Sequence, residues 1–476
     1  MDKNNGKASR ADQSALLFDF SGKRVLIIGM ARSGIMAARL LLEKGARPVI
    51  NDIKDAAAFG DKLDSLKGLP IEWRLGEDPL ALLHGCDALV ISPGVPIDSP
   101  AVEKARALGI YMIGELELAA QYAKGLMIGV TGTNGKTTTV TLLGEIFKAA
   151  GKRVFVSGNI GTPLSQTAMA SADGDVLVTE VSSFQLESID RWHAKAAAVL
   201  NVTEDHLIRH YTMENYIRLK RRVFENQTCE DLAVLNADDP ICAAMAEGLP
   251  ARVRFFSRLA EVENGAFVRD GRMILRDGSR MTDLIDTEEI GIPGPHNLEN
   301  AMAAALIAWE EGVDEQVIAD TLRAFKGVEH RIEFVRELDG VRYINDSKGT
   351  NPDSTVKAVD TMKRPTVIIL GGYDKHVSFK SLADRIVSSP YIKKVIVLGA
   401  CAPQLIRELG EAGVSGITRV QTFEEAVEQA RFMAQPGWNV LLSPACASFD
   451  MFSCFEERGE RFKELVRGFV SALGEG

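Results

Sequence analysis

The sequence predicts three α/β domains in a row, a Rossmann-like N-terminal domain, a central domain with a phosphate-loop plan and a second Rossmann-like domain at the C-terminus. Three observations predict this. Short apolar runs alternate with helical patterns along most of the chain, which implies parallel strands joined by crossover helices. One such run, at 126–130, passes directly into the glycine-rich stretch GVTGTNGKTT at 129–138 and then a helical pattern. The alternation restarts after Gly327 and continues to the last helix.

In order, residues 1–18 read as a polar, flexible leader. A strand at 24–28 meets a turn at Gly29, a helix follows over 35–44, and further strands fall at 48–50 and 88–91. This gives a first domain over 19–122. The central domain, 123–327, has its first strand at 126–130 and others expected at 153–157, 175–180, 196–202 and 232–235. The stretch 251–290, with short runs and Gly and Asp turns, predicts a small antiparallel patch, and a helix over 296–311 closes the domain. The third domain, 328–476, has strands at 341–345, 366–370, 394–398 and 439–442 and ends in a charged amphipathic helix from 455 to about 473.

The chain has 476 residues, 46% hydrophobic and 25% charged. At roughly 100–200 residues per domain this length matches about three domains. The net charge of −10 argues against a broad nucleic-acid surface, which needs a basic face. The six cysteines show no CxxC pairing or zinc spacing and read as thiols of a reducing compartment. The polar N-terminus lacks an apolar segment of a secretory signal, and no apolar run approaches the ~18 residues needed to span a bilayer. A cytoplasmic protein without membrane insertion is expected.

The strand–loop–helix setting of 129–138 is what a phosphate loop requires, because glycines turn backbone N–H groups onto an anion at a helix N-terminus. Lys136 would reach the phosphates and Thr137 a Mg²⁺ ion. Val130 stands where the strict pattern has its first glycine. In the first domain GMARSG at 29–34 is a damaged dinucleotide fingerprint, since Ala31 replaces the glycine that lets the backbone approach a pyrophosphate. The loop, with Ser92-Pro93-Gly94, could still line a nucleotide crevice, although a structural turn explains each equally well. Glu180 and His206 end strand-like runs and offer magnesium ligands, although on the residues alone a capping or surface histidine is the better reading of His206. Lys220, in YIRLKRRVF at 216–224, reads by spacing as one residue of a solvated basic helix face. The polar loops NDSKGTNP at 345–352 and SPACAS at 443–448 follow strands, where ligands of open α/β sheets collect.

Together these motifs resemble the Mur ligase family of cell-wall synthesis. The resemblance rests on TGTNGKTT, SGNIG at 157–161, TEVSSFQLE at 179–187, NVTEDH at 201–206, PGPHNLENAMAA at 293–304, EHR at 329–331, INDSKGTNPDST at 344–355 and SPACASFDMF at 443–452. The last two favour the branch that adds D-glutamate, and the DNPR loop of the diaminopimelate- or lysine-adding branch is missing. The resemblance implies an ATP-dependent ligase that joins D-glutamate to UDP-N-acetylmuramoyl-L-alanine through an acyl phosphate, acting as a monomer with two Mg²⁺ ions.

It also implies residue roles. ATP would lie on Thr131, Gly132, Thr133, Asn134, Gly135, Lys136, Thr137, Thr138 and Thr139, with Asn297, Asn300, Arg331 and Asp346. Thr137, Glu180, His206 and Lys220 would hold metal, Lys220 as a carbamate formed with CO₂. Lys136, Glu180, His206 and Lys220 form the catalytic set. Arg32, Ser33, Ser92, Pro93 and Gly94 match positions around the UDP moiety, and Asn159 and Ser182 lie on matching substrate loops. Lys348, Thr350, Ser448 and Phe455 match positions around D-glutamate, with Lys375 as a further carboxylate-binding cation. A hinge is expected near Lys326-Gly327-Val328.

Other readings stay open from sequence. Folylpolyglutamate synthetases share the loop and the three-domain plan, but their first domain holds no UDP-sugar. An NAD-dependent oxidoreductase is disfavoured by Ala31. A non-catalytic nucleotide switch would release no phosphate in response to both acceptor substrates.

Overall fold

The computed structural model describes residues 18–59, 66, 68–374 and 377–471. These form three sheets, one for each expected domain. The leader, apart from Phe18, and Lys375 lie outside the described residues.

The first sheet contains β1 (Arg24–Ile28), β2 (Arg47–Asp52), β3 (Glu72–Leu75), β4 (Ala88–Ile91) and β5 (Tyr111–Gly114), ordered β3-β2-β1-β4-β5 and parallel throughout. The helix Arg32–Glu43 starts three residues earlier than its apolar pattern suggested. Gly34 lets this happen: a Cβ there would lie 2.0 Å from the carbonyl oxygen of Gly29, so only glycine allows the helix to start this close to the strand end.

The central sheet has β6 (Leu126–Thr131), β7 (Val154–Gly158), β8 (Val176–Glu180), β9 (Ala196–Val199), β10 (Leu232–Asn236), β11 (Arg252–Ser257), β12 (Asn264–Arg269), β13 (Arg272–Asp277) and β14 (Arg280–Asp286), ordered β14-β13-β12-β11-β10-β9-β6-β8-β7. The patch expected over 251–290 is only half antiparallel. β11 pairs parallel to β10 and to β12, and only β12-β13-β14 alternate in direction, so the segment extends the central sheet. The helices Lys136–Ala149 and Pro295–Glu310 bury together against this sheet; the second is apolar on nearly every side, as a helix enclosed by protein must be.

The third sheet has β15 (Glu333–Leu338), β16 (Val341–Asn345), β17 (Thr366–Gly371), β18 (Ile392–Leu398), β19 (Ile417–Arg419) and β20 (Asn439–Leu442), ordered β15-β16-β20-β17-β18-β19 with only β15 antiparallel. The final helix, Phe455–Gly468, covers β15 and β16. Among the described residues no helix is long and apolar enough to cross a membrane.

Candidate active site

The loops at 29–34, 92–94, 131–135, 157–161, 180–187, 201–206, 345–352 and 443–448 all leave the C-terminal ends of parallel strands. In the centre β8, β6 and β9 are neighbours. Their ends deliver Glu180, the loop 131–135 and the segment 201–206 to one crevice, as open α/β sheets do. Gly129 lies within β6 rather than in the loop: its missing side chain makes room for Trp192, whose ring would stand 2.5 Å from a Cβ there. The turning residues are Gly132 and Gly135, at φ 155° and 86°. A Cβ on Gly135 would meet Asn300 Oδ1 at 2.2 Å, so the loop and the start of Pro295–Glu310 are in direct contact. Asn297 in turn donates to the Pro293 carbonyl at 2.7 Å and Asn300 to Asn297 at 3.4 Å.

Lys136 folds back over the loop and donates to the carbonyls of Gly132 and Thr133, both at 2.8 Å. Burial lowers its pKa, against the opposing pull of Glu180 and Asp205. Thr137 Oγ1 donates to Glu180 Oε2 at 2.7 Å, and Asn159 Nδ2 donates to Oε1 at 2.8 Å. A hydroxyl beside a buried carboxylate is a hard-oxygen donor set that suits Mg²⁺. Thr131, Thr133, Asn134, Thr138 and Thr139 are buried in or behind the loop.

Lys220 corrects the reading of a solvated face. The helix Met213–Arg221 turns Tyr216, Leu219 and Lys220 inward, and Lys220 is 1% exposed. Its Nζ donates to the Gly132 carbonyl at 2.8 Å and lies 4.5 Å from the Tyr216 ring centre. Burial, then the nearby charge of Lys136, holds its pKa well below the usual lysine value. The Tyr216 hydroxyl is 3.2 Å from Thr133 Oγ1, which ties this helix to the phosphate loop. Tyr216 lies one turn before Lys220, a signal available in sequence but not used.

The third domain faces this crevice. Arg331 Nη1 reaches Asp346 Oδ1 at 3.5 Å and also donates to Ser354 Oγ. Burial raises the Asp346 carboxyl, opposed by Arg331 and by Ser443, whose hydroxyl donates to it at 2.7 Å. Lys348 stands 4.8 Å from the Phe455 ring centre, and burial lowers its pKa while Glu180 acts to raise it. Ser448 is buried. Thr350 N donates to the Lys348 carbonyl at 2.9 Å. Asp353, which the sequence reading did not single out, accepts from Asn134 Nδ2 at 2.5 Å and Thr203 Oγ1 at 3.1 Å, and Asn351 donates to Asp205 at 3.1 Å. Three hydrogen bonds therefore join the second and third domains beside the phosphate loop.

In the first domain β1 and β4 are neighbours, so Gly29 and Ser92 meet: Ser92 Oγ donates to the Gly29 carbonyl at 3.1 Å. Pro93 and Gly94 follow, the first half-buried and the second exposed, and Ser33 is half-buried. Arg32 Nη1 reaches across to the Gly161 carbonyl of SGNIG at 3.2 Å. Ser182 caps the short helix Ser183–Leu186 in a capping box with Gln185. A cavity of about 980 Å³ lies at the opposite end of the central strands, bordered by Lys124, Lys152, Arg191 and Lys195, and touches none of these loops.

The central domain thus meets the first through Arg32 and Gly161 and the third through Asp353 and Asn351, which makes a three-domain α/β protein with a phosphate loop at its second joint. Family models match at residues 23–114 (Mur ligase MurD-like, N-terminal domain), 130–308 (Mur ligase middle domain) and 330–446 (Mur ligase, glutamate ligase domain). The chain belongs to the Mur ligase family. Among its relatives, a UDP-N-acetylmuramoylalanine--D-glutamate ligase of Thermoanaerobacter pseudethanolicus is 45% identical over 94% of this chain and 99% of its own. One of the same name from Clostridioides difficile is 46% identical over 94% and 99%. Solved structures share the fold. The UDP-N-acetylmuramate-alanine ligase of Thermotoga maritima, 16% identical, matches with TM-score 0.59 over 94% of this chain and 99% of that one. A pseudomurein peptide ligase of Methanothermus fervidus, 20% identical, matches with TM-score 0.57 over the same shares.

Proposed function

We propose that the chain is an ATP-dependent ligase that joins D-glutamate to UDP-N-acetylmuramoyl-L-alanine in the cytoplasm. The observation that carries this reading is the meeting of the phosphate loop with the third-domain loop through Asn134 and Asp353, 2.5 Å apart, which sets Lys348 within the electrostatic reach of Glu180 and Lys136. Near-full-length identity to ligases of that name supports the substrate pair.

The UDP-linked substrate lies with its nucleotide on the loops at 29–34 and 92–94 and its L-alanine carboxylate toward Glu180 and His206. That carboxylate attacks the γ-phosphorus of ATP, giving an acyl phosphate and ADP. Lys136 leaves its two carbonyl partners and offsets the charge on the transferring phosphoryl group. Thr137, Glu180, His206 and a carbamate on Lys220 would hold two Mg²⁺ ions, which supply further charge neutralisation when bound. The buried, low-pKa amine of Lys220 supports carbamate formation, because only a neutral amine adds CO₂. Lys348, Thr350 and Ser448 hold D-glutamate, with Phe455 beside Lys348. The D-glutamate amine attacks the acyl carbon, and the tetrahedral intermediate expels phosphate.

The test is phosphate release with UDP-N-acetylmuramoyl-L-alanine and a panel of amino acids. D-Glutamate should support turnover, while meso-diaminopimelate, L-lysine and D-alanyl-D-alanine should not, because an unsuitable side chain leaves buried cations unpaired. Equal turnover with L-lysine or diaminopimelate overturns the assignment.

A further inference from the structure

His206 occupies an unusual piece of backbone. It is a left-handed residue at φ 56°, followed by the single helical turn Leu207–His210 and a second left-handed non-glycine residue, Tyr211, at φ 66°. Such positions cost energy and persist only when surrounding contacts hold them. Some of those contacts come from the other domain. The Arg209 guanidinium, mostly buried, pairs with Glu187 through Nε to Oε1 at 3.1 Å and Nη2 to Oε2 at 2.5 Å. The same Nη2 donates to the Val95 carbonyl at 2.8 Å. Tyr211 adds a bond to Asp98 at 2.5 Å.

Val95 directly follows Ser92-Pro93-Gly94, and its N–H closes that turn on the Ser92 carbonyl at 2.9 Å. Ser92 in turn holds Gly29. On its other side Arg209 lies 5.3 Å from the Phe184 ring centre, and Phe184 meets the His206 ring edge-on at 4.8 Å. His210 completes the clamp, with Nε2 2.9 Å from Ser183 Oγ and Nδ1 3.4 Å from Glu187 Oε1. A short path of packed groups thus runs from the first-domain nucleotide loops, through Arg209, to His206.

We propose that Arg209 is a positioning residue that couples the seat of the UDP-linked substrate to His206. This rests on the function proposed above. A substrate that orders the 92–95 turn fixes the Val95 carbonyl, and Arg209 passes that order to the His206 turn. The arginine is needed because its planar fork serves Glu187 with two nitrogens while one of them also reaches Val95, which an ammonium cannot reproduce in full.

The test compares full-length wild type with Arg209→Met and Arg209→Lys. Losing a charge-assisted hydrogen bond of this kind weakens binding about tenfold. Arg209→Met should raise the KM for the UDP-linked substrate by about that factor, weaken its calorimetric Kd without ATP or Mg²⁺, and move half-saturating Mg²⁺ upward. The KM for D-glutamate should stay unchanged. Arg209→Lys, which keeps a cation beside Glu187 and therefore folds, should show the same selective shift at reduced size. Wild-type UDP-substrate affinity in either folded variant overturns the proposal, as does an equal rise in both KM values. If wild type itself releases no phosphate with these substrates, the proposed function fails and takes this inference with it. An active wild type with unshifted variants removes only the role of Arg209.

Discussion

Lys220 shows how far a single side chain can depart from its sequence appearance. Its neighbours Arg218, Arg221 and Arg222 make the stretch look like a solvated basic face, yet its Nζ is enclosed against Gly132. A buried ammonium beside Lys136 is costly, and the carbamate proposed above would replace it with an anion facing the cation. Lys220→Ala should therefore lose activity by about ten- to a hundredfold, the scale seen when groups supporting a metal site are removed. Short carboxylates added to the assay should restore part of it by supplying the missing anion. An unrescued variant with wild-type phosphate release would rule the role out.

Among the elements, the seam between the first two domains is made by helix ends. Glu115 opens the helix Glu115–Ala120 and accepts the N–H of Ser165, at the start of Leu164–Ala170, at 2.6 Å. That helix has no side-chain cap of its own, so the carboxylate from the neighbouring domain serves its N-terminus. Glu117 accepts the N–H groups of Asp190, Arg191 and Trp192 in the same way. Burial raises the Glu115 carboxyl above its ordinary value of 4.5, with the hydrogen bonds to Ser165 opposing. The folded state thus holds this proton more tightly than the unfolded state. Its contribution is fully favourable below the ordinary value and is lost as pH rises through the raised one. Glu115→Gln keeps an acceptor for Ser165 and removes the titration. Thermal melts from pH 4.5 to 8 should give a flatter profile for the variant; parallel profiles would show that Glu115 does not carry this dependence.

For the whole molecule, the distribution of the cores separates two parts. One hydrophobic cluster runs from Phe20 and Val25 through Leu164 and Trp192, joining the first domain to the central one. Among the described residues, the clusters of the third domain contain none from the other two. The third domain meets the central one beside the phosphate loop through Asp353 and Asn351, and the connection between them passes Gly327 at φ 95°. We expect the first two domains to move as one body and the third to swing about 326–328. Closure would bring the D-glutamate amine within about 3–3.5 Å of the acyl carbon and exclude water from the acyl phosphate. Solution scattering should show compaction when an ATP analogue and the UDP-linked substrate are both saturating. An unchanged radius of gyration would count against the hinge.

The sequence alone carried the α/β class, the three-domain order and the strand ends that bear the site, because buried parallel strands are continuous apolar runs and a phosphate loop needs glycines between strand and helix. It missed the edge strands β3, β5, β15 and β19, of which β3, β15 and β19 are too polar and β5 too short to stand out as apolar runs, and it misread the pairing of β11, since strand direction is not written in local periodicity. The inward turn of Lys220, the contact of Asn134 with Asp353 across 219 positions and that of Arg209 with Val95 across 114 belong to the packed molecule. Periodicity reports which side of an element is apolar; which distant polar groups then meet depends on how the sheets and helices pack, and no local pattern encodes that.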